Sequence, residues 1–288
     1  MTAPDSGRVT IEEGVVFGTG GGRDLKCDIF TPPGSPTNAP AILLLHGGGW
    51  SGGDRSQLRG YGILPGRLGY VCVASEYRLS GEAPWPAQIH DSKAALRWMR
   101  ANASRLGIDP SRIAVSGNSA GAHLSLMVAG TPNMPEFEGV GGNPGVDTSV
   151  AASVAIYAPV QLGGPVALSE AVSALMGPNP TVAALAGASP ITHASATFPP
   201  TLLIHGNADE LVPSDASLQM YRALRAAGVP AEVHIYADQP HAFDAAPAFG
   251  RQCAAVMDLF FQRYLGAAGA AASGGAIAAS PVAASARA

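Results

Sequence analysis

The chain has little charge, few cysteines and no stretch suited to a membrane. Asp, Glu, Lys and Arg make up only 13% of its 288 residues, and 17 Lys and Arg against 21 Asp and Glu leave a net charge of −4. No basic patch stands out, which argues against nucleic acid as a partner. No run of about 18 apolar residues occurs, so no helical membrane span is expected. The cysteines, Cys27, Cys72 and Cys253, are odd in number and lack ligand spacing. They are expected to be buried free thiols, with one disulfide as the alternative. No pair of histidines or carboxylates has ligand spacing either, so neither a metal nor another cofactor is expected. Met1 to Val9 lacks a charged segment followed by an apolar one, which excludes a secretory signal there. A cytoplasmic protein is the simple expectation, with a secreted mature form as the alternative. Oligomeric state is not legible.

Hydrophobic residues are abundant, at 47%, enough for one sizeable core. No internal repeat and no long charged or Pro-rich linker interrupts residues 1–265, which are expected to form a single domain. Residues 266–288 are almost all Ala, Gly and Ser. They have no bulky apolar face to bury and are expected to be disordered. Within 1–265, strand and helix signals alternate. Val9–Phe17 and Leu25–Phe30 flank Gly20-Gly21-Gly22 and predict an antiparallel hairpin. The short apolar run Ala41–Leu45 predicts a strand buried on both faces. Further strands are predicted at Val71–Ser75, Arg112–Ser116, Val150–Tyr157, Thr201–His205 and Val233–Tyr236. Helices are predicted at Ala87–Ala103, Ala120–Ala129, Asp215–Ala227 and Ala248–Leu265, the third capped by Ser214 or Asp215 and followed by Gly228. This alternation implies an α/β fold, a mostly parallel sheet with helices on both faces. Such sheets place ligands at the carboxyl ends of their strands.

Three of those ends carry chemistry. Gly117-Asn118-Ser119-Ala120-Gly121 is G-x-S-x-G between a predicted strand and a predicted helix. That turn holds a serine on a strained backbone at the top of the sheet, and glycines two residues to either side let neighbouring chain approach. Ser119 is therefore the candidate nucleophile. After Ala41–Leu45 comes His46-Gly47-Gly48-Gly49-Trp50. Acyl transfer builds negative charge on a carbonyl oxygen, and backbone N–H groups in a side-chain-free loop can approach it closely. Gly48, Gly49 and Ala120 are the candidate oxyanion donors, with Trp50 able to replace one glycine. Neither G-K-[ST] nor G-x-G-x-x-G is present to favour a phosphate loop.

Seven histidines compete for the role of base. His46 belongs to the glycine loop and is expected to orient it. His90 lies within a predicted helix. His123 is one helical turn past Ser119 and is expected to face away from it. His193 sits in a Pro- and Ser-rich stretch, and His205 and His234 lie in or at the ends of strands, where satisfied core or surface histidines are common. His241 alone follows a strand and precedes the final helix, with Phe243 to anchor its loop. The acid should follow the preceding strand, where Gly206-Asn207-Ala208-Asp209 stands. Glu210, Asp215 and Asp238 are rivals, Asp238 foremost because it is three residues from His241. The order Ser119, Asp209, His241 is the one this arrangement requires. Activity is expected to fall below about pH 6–7 as a histidine base protonates.

These motifs, with Tyr77-Arg78-Leu79, Trp85-Pro86-Ala87 and Ser189-Pro190-Ile191, make the chain resemble the bacterial α/β-hydrolase carboxylesterases. The likeness is to the feruloyl-esterase-like (BD-FAE-like) branch, with the hormone-sensitive-lipase group more distant, and it covers about Val9 to Leu265. It implies an α/β-hydrolase fold, a triad of Ser119, Asp209 and His241, and an oxyanion hole in the Gly48–Trp50 loop with Ala120. One departure is Pro240-His241-Ala242, where relatives often carry glycine next to the histidine. Arg78 and Asp91 are expected to form a structural ion pair, with Trp85 and Pro86 bracing that loop near the pocket. About 45 residues precede His46, too few for an N-terminal helical cap, and Gln161–Pro200 is the only candidate lid. The expected site is open and shallow, suited to aryl esters, acetylated or feruloylated polysaccharide, or short polyester chains. An amide hydrolase of the kynurenine-formamidase kind is the alternative reading. A non-catalytic binding protein of the same fold is a third, disfavoured because all three triad members are present.

Overall fold

The computed structural model describes residues 7–163 and 169–266 of the chain. The expected disorder of 266–288 therefore falls, from residue 267 on, outside the described residues.

Eight strands form one sheet: β1 (Thr10–Gly20), β2 (Arg23–Thr31), β3 (Ala39–Leu45), β4 (Val71–Ser75), β5 (Ile108–Asn118), β6 (Ala152–Ile156), β7 (Thr201–Gly206) and β8 (Ala231–Tyr236). Their order is β1-β2-β4-β3-β5-β6-β7-β8. The hairpin β1–β2 is antiparallel, as its turn predicts: Gly21 and Gly22 both adopt positive φ, at 59° and 81°, which glycine does at no steric cost. β2 joins β4 antiparallel, and every pairing from β4 through to β8 is parallel.

The central strands show why an unbroken apolar run is needed. In β3, Leu43 and Leu45 pack into one core while Ile42 and Leu44 pack into another. Successive side chains point to opposite faces, and both faces are covered. The first core lies under the helices Ala87–Ala101, Ala120–Gly130 and Asp215–Ala226. The second lies under the helices Arg59–Gly66 and Pro247–Leu265. Cys27, Cys72 and Cys253 are all buried free thiols.

Predicted and observed elements agree to within a few residues, with one omission that matters. The helix Arg59–Gly66, entered through a 3-10 turn at Arg55–Leu58, was not foreseen. Gly60, Gly62, Pro65 and Gly66 are poor helix formers, and they hide it. Its packing accounts for one of them: a Cβ on Gly62 would stand 2.5 Å from the Phe30 ring. A side chain there would push the helix off β2.

The Arg78–Asp91 pair forms as expected. Arg78 Nε and Nη2 each donate to the Asp91 carboxylate at 2.8 Å, and the Arg78 backbone N–H donates at 2.9 Å. The Trp85 ring packs against His123 and Phe137.

Candidate active site

Ser119 stands between β5 and the helix Ala120–Gly130 with φ 54° and ψ −120°. A non-glycine residue at positive φ is strained, and close packing around the turn holds it there. A Cβ on Gly121 would lie 2.0 Å from the Leu45 carbonyl oxygen, and one on Gly117 would lie 2.5 Å from it. The two flanking glycines thus let β3 and the helix close on the turn. The Ser119 backbone N–H is tied to the Ile156 carbonyl at 2.9 Å.

His241 and Asp209 converge on this serine from the ends of β8 and β7. His241 Nε2 lies 3.0 Å from Ser119 Oγ, and His241 Nδ1 lies 2.7 Å from Asp209 Oδ2. With Nδ1–H donating to the carboxylate, Nε2 presents its lone pair to the serine hydroxyl. Asp209 is buried. Its Oδ1 accepts the backbone N–H groups of Leu211 at 3.0 Å and Val212 at 2.8 Å. Burial pushes its carboxyl pKa up. The hydrogen bonds from His205, His241 and Val212 outweigh that and hold it well below the usual carboxylate range. The rival acids stand elsewhere. Asp238 and Glu210 are exposed, and Asp215 interacts with Gln219 and Arg222.

The structure assigns His205 a contact that the sequence did not disclose. It is fully buried, with Nε2 2.8 Å from the Val212 carbonyl and 3.2 Å from Asp209 Oδ2, and Nδ1 2.7 Å from Ser217 Oγ. A carbonyl only accepts, so Nε2 carries the proton and Nδ1 accepts from Ser217. One carboxylate oxygen thus faces two histidines. The other histidines are occupied as expected. His46 is buried and stacks on Tyr77 at 4.3 Å. His123 turns from Ser119 and bonds Trp50 Nε1 and the Ala188 carbonyl.

Ser119 and His241 open into a cleft of about 960 Å³ that faces solvent. Gly47, Gly48 and Gly49 line the same cleft, so the glycine loop and the serine share one space. Gly48 and Gly49 adopt φ of 116° and 58°. A Cβ on Gly48 would stand 2.2 Å from the Gly52 carbonyl oxygen, which explains the need for glycine. The Trp50 side chain turns away into the core, and Ala120 is buried directly behind Ser119. The cleft is open, as expected, and two walls border it. One wall comes from the unforeseen helix, through Tyr61 and Leu64, and another from residues between Asp244 and Arg251. No described residue of the candidate lid Gln161–Pro200 lines it. Its short helix Ser169–Met176 forms as expected and lies beside Gly49, while residues 164–168 fall outside the described residues.

Tyr157 and Asp244 are among the cleft residues that escaped the sequence reading. Tyr157 follows β6, with its ring 4.6 Å from that of His241. Its hydroxyl donates to Asp244, which also accepts Tyr61 Oη at 2.8 Å. Asp244 thereby ties the His241 loop to β6 and to the helix Arg59–Gly66. Tyr157 was detectable, since it ends a strand on the carboxyl edge. Asp244 carried no such signal. Among the described residues, no group of three or more His, Cys, Asp or Glu side chains is gathered as a metal ion would need.

The BD-FAE family model matches residues 27–224, more than half of the chain. The chain belongs to the BD-FAE family. Among curated relatives of this BD-FAE chain, the probable carboxylic ester hydrolase LipM of Mycobacterium tuberculosis is 36% identical over 240 residues, covering 77% of the chain and 54% of LipM. The esterase LipQ of the same organism is 34% identical over 78% of the chain and 56% of its own length. The chain thus spans about half the length of the curated relatives it matches. A truncated carbohydrate esterase from gut microbiota superposes with a TM-score of 0.80 at 26% identity, covering 92% of the chain and 99% of that structure. Thermogutta terrifontis esterase 2, phosphoramylated by tabun, superposes with a TM-score of 0.74 at 26% identity over 89% and 95%. The sheet order and these neighbours make the architecture an α/β-hydrolase fold.

Proposed function

We propose that the chain is a serine hydrolase of carboxylic esters, with short-chain or aryl esters as its simplest substrates. The supporting observation is the hydrogen-bonded line Ser119–His241–Asp209 opening into the cleft that holds the glycine loop. His241 Nε2 takes the Ser119 proton as Oγ attacks the ester carbonyl. The oxyanion rests on backbone N–H groups of the Gly48–Trp50 loop and Ala120. Collapse expels the alcohol, which takes the proton from His241 and leaves an acyl group on Ser119. Water, deprotonated by the same histidine, then releases the acid. Asp209 fixes the tautomer and stabilises the imidazolium. The relatives and structural neighbours named above are ester hydrolases or esterases, which favours ester over amide cleavage.

The test is p-nitrophenyl acetate hydrolysis at pH 8 by wild type and by Ser119→Ala, with circular dichroism on both. The expected loss in kcat is about 10³-fold or more. Equal rates from two folded proteins would remove Ser119 from the reaction. N-formylkynurenine, offered in parallel, reads the amide alternative directly.

A further inference from the structure

One oxygen of Asp209 serves two imidazoles. Oδ2 lies 2.7 Å from His241 Nδ1 and 3.2 Å from His205 Nε2, while Oδ1 takes the backbone N–H groups of Leu211 and Val212. His205 is fully buried near the end of β7, and both of its nitrogens are engaged, Nε2 also by the Val212 carbonyl at 2.8 Å and Nδ1 by Ser217 Oγ at 2.7 Å. The Val212 carbonyl alone would satisfy the Nε2–H, so its contact with Asp209 exceeds what burial demands. Hydrogen bonds to a carboxylate favour its charged form. Burial pushes the Asp209 carboxyl up, and the hydrogen bond from His205 is the largest of those that pull it down, ahead of the one from His241. The competition on Oδ2 has a direction. Electron density drawn toward His205 is withdrawn from His241, and the pull of Asp209 on an imidazolium at His241 weakens.

Resting on the ester-hydrolase reading above, we propose that His205 is a positioning residue acting through Asp209: its Nε2–H steadies the carboxylate against His241 and moderates the basicity of His241. The consequence is a base that stays neutral, and able to accept the Ser119 proton, further into mild acid than Asp209 alone would allow. Other groups face the two histidines among the described residues. Tyr157 faces both, with its ring 4.6 Å from that of His241 and 6.5 Å from that of His205, and its hydroxyl is engaged by Asp244. The helix Asp215–Ala226 contributes the uncharged Ser217, and the turn after β5 contributes Ser119. Neither histidine is placed against a second carboxylate in this arrangement, so the sharing of Asp209 sets the balance between them.

The test separates the two edges of the His205 ring. An asparagine amide superposes on the Nδ1 edge, so His205→Asn keeps a partner for Ser217 and withdraws the donor from Asp209. A glutamine amide reaches the Nε2 edge, so His205→Gln keeps an N–H for Asp209. The acid limb of kcat/KM for p-nitrophenyl acetate is recorded for wild type and both variants, with urea midpoints alongside. His205→Asn should move the limb to higher pH by about half a pH unit or more, and His205→Gln should restore it. A limb that His205→Asn leaves in place, moves to lower pH, or moves no further than His205→Gln does overturns the proposal, whatever happens to stability. The second measurement needs no turnover. In Ser119→Ala labelled with ¹⁵N-histidine, NMR follows the titration of His241, assigned through His241→Gln. Adding His205→Asn should raise its midpoint, and an unchanged midpoint overturns the proposal. Where His205→Asn does not fold, His205→Gln must by itself keep the wild-type midpoint, and a displaced one overturns the proposal. If wild type cleaves no ester, the ester-hydrolase reading fails, and the NMR titration alone decides on His205.

Discussion

His123 follows Ser119 by four residues, yet it serves the fold rather than the proposed reaction. Trp50 Nε1–H can only donate, so it fixes His123 Nδ1 as an acceptor. The Ala188 carbonyl can only accept, so it requires the proton on Nε2. Both contacts are met by one neutral tautomer. Burial pushes the His123 pKa down to about 4. The folded state thus binds this proton less readily than the unfolded chain, whose histidines titrate near 6.5. The stabilisation is complete above the unfolded value and is lost as pH falls toward the folded one. The urea midpoint should therefore decline between about pH 6.5 and 4, and His123→Gln should flatten that decline. Asp209 acts in a lower window, since its depressed carboxyl favours folding above about pH 3.9 and loses that contribution only in stronger acid. In the proposed reaction, Asp209→Asn removes the carboxylate that sets the tautomer of His241. A loss of about 10⁴ in kcat with retained fold is expected. Ala242 occupies the left-handed region at φ 58°, a conformation that favours glycine. Because that conformation costs a non-glycine residue about 1–2 kcal/mol, Ala242→Gly should leave the urea midpoint unchanged or raise it.

At the scale of elements, the turn around Ser119 depends on absent side chains. Gly121→Ala forces a Cβ onto the Leu45 carbonyl. The expected cost is about 3 kcal/mol or more, read from urea unfolding, with activity falling as β3 and the helix move apart. This region was fully legible in the sequence because G-x-S-x-G, H-G-G-G-W and the strand before each are strong local signals. The convergence of Ser119, Asp209 and His241 was legible for a related reason: a parallel sheet presents all its strand ends on one edge. The cleft wall was not. The helix Arg59–Gly66 gains its stability from fitting Phe30 and the last helix, not from propensity, and a sequence window sees only its glycines and proline. His205 was read as a satisfied core histidine, which it is. Its second contact, to Asp209, depends on the path of the turn from Asp209 to Val212 and leaves no pattern in the sequence.

At the scale of the molecule, charge scarcity concentrates importance in a few buried groups. Lys93 and Arg97 are almost fully buried, and both pair with Glu138, at 2.8 and 2.9 Å. Burial lowers the pKa of both cations. Removing the shared carboxylate leaves two uncompensated buried charges. Glu138→Ala should cost about 3–5 kcal/mol in urea unfolding while leaving kcat on a small neutral ester largely intact. The two cores carry a different consequence. Ser119 leads into a helix buried in the first core, whereas both cleft walls are laid on the second. Residues such as Gln57, Leu64 and Arg251 can therefore vary without disturbing the packing that strains Ser119. In the proposed reaction, substrate choice and reactivity are then separately inheritable traits, and a lineage can change its diet while keeping its chemistry.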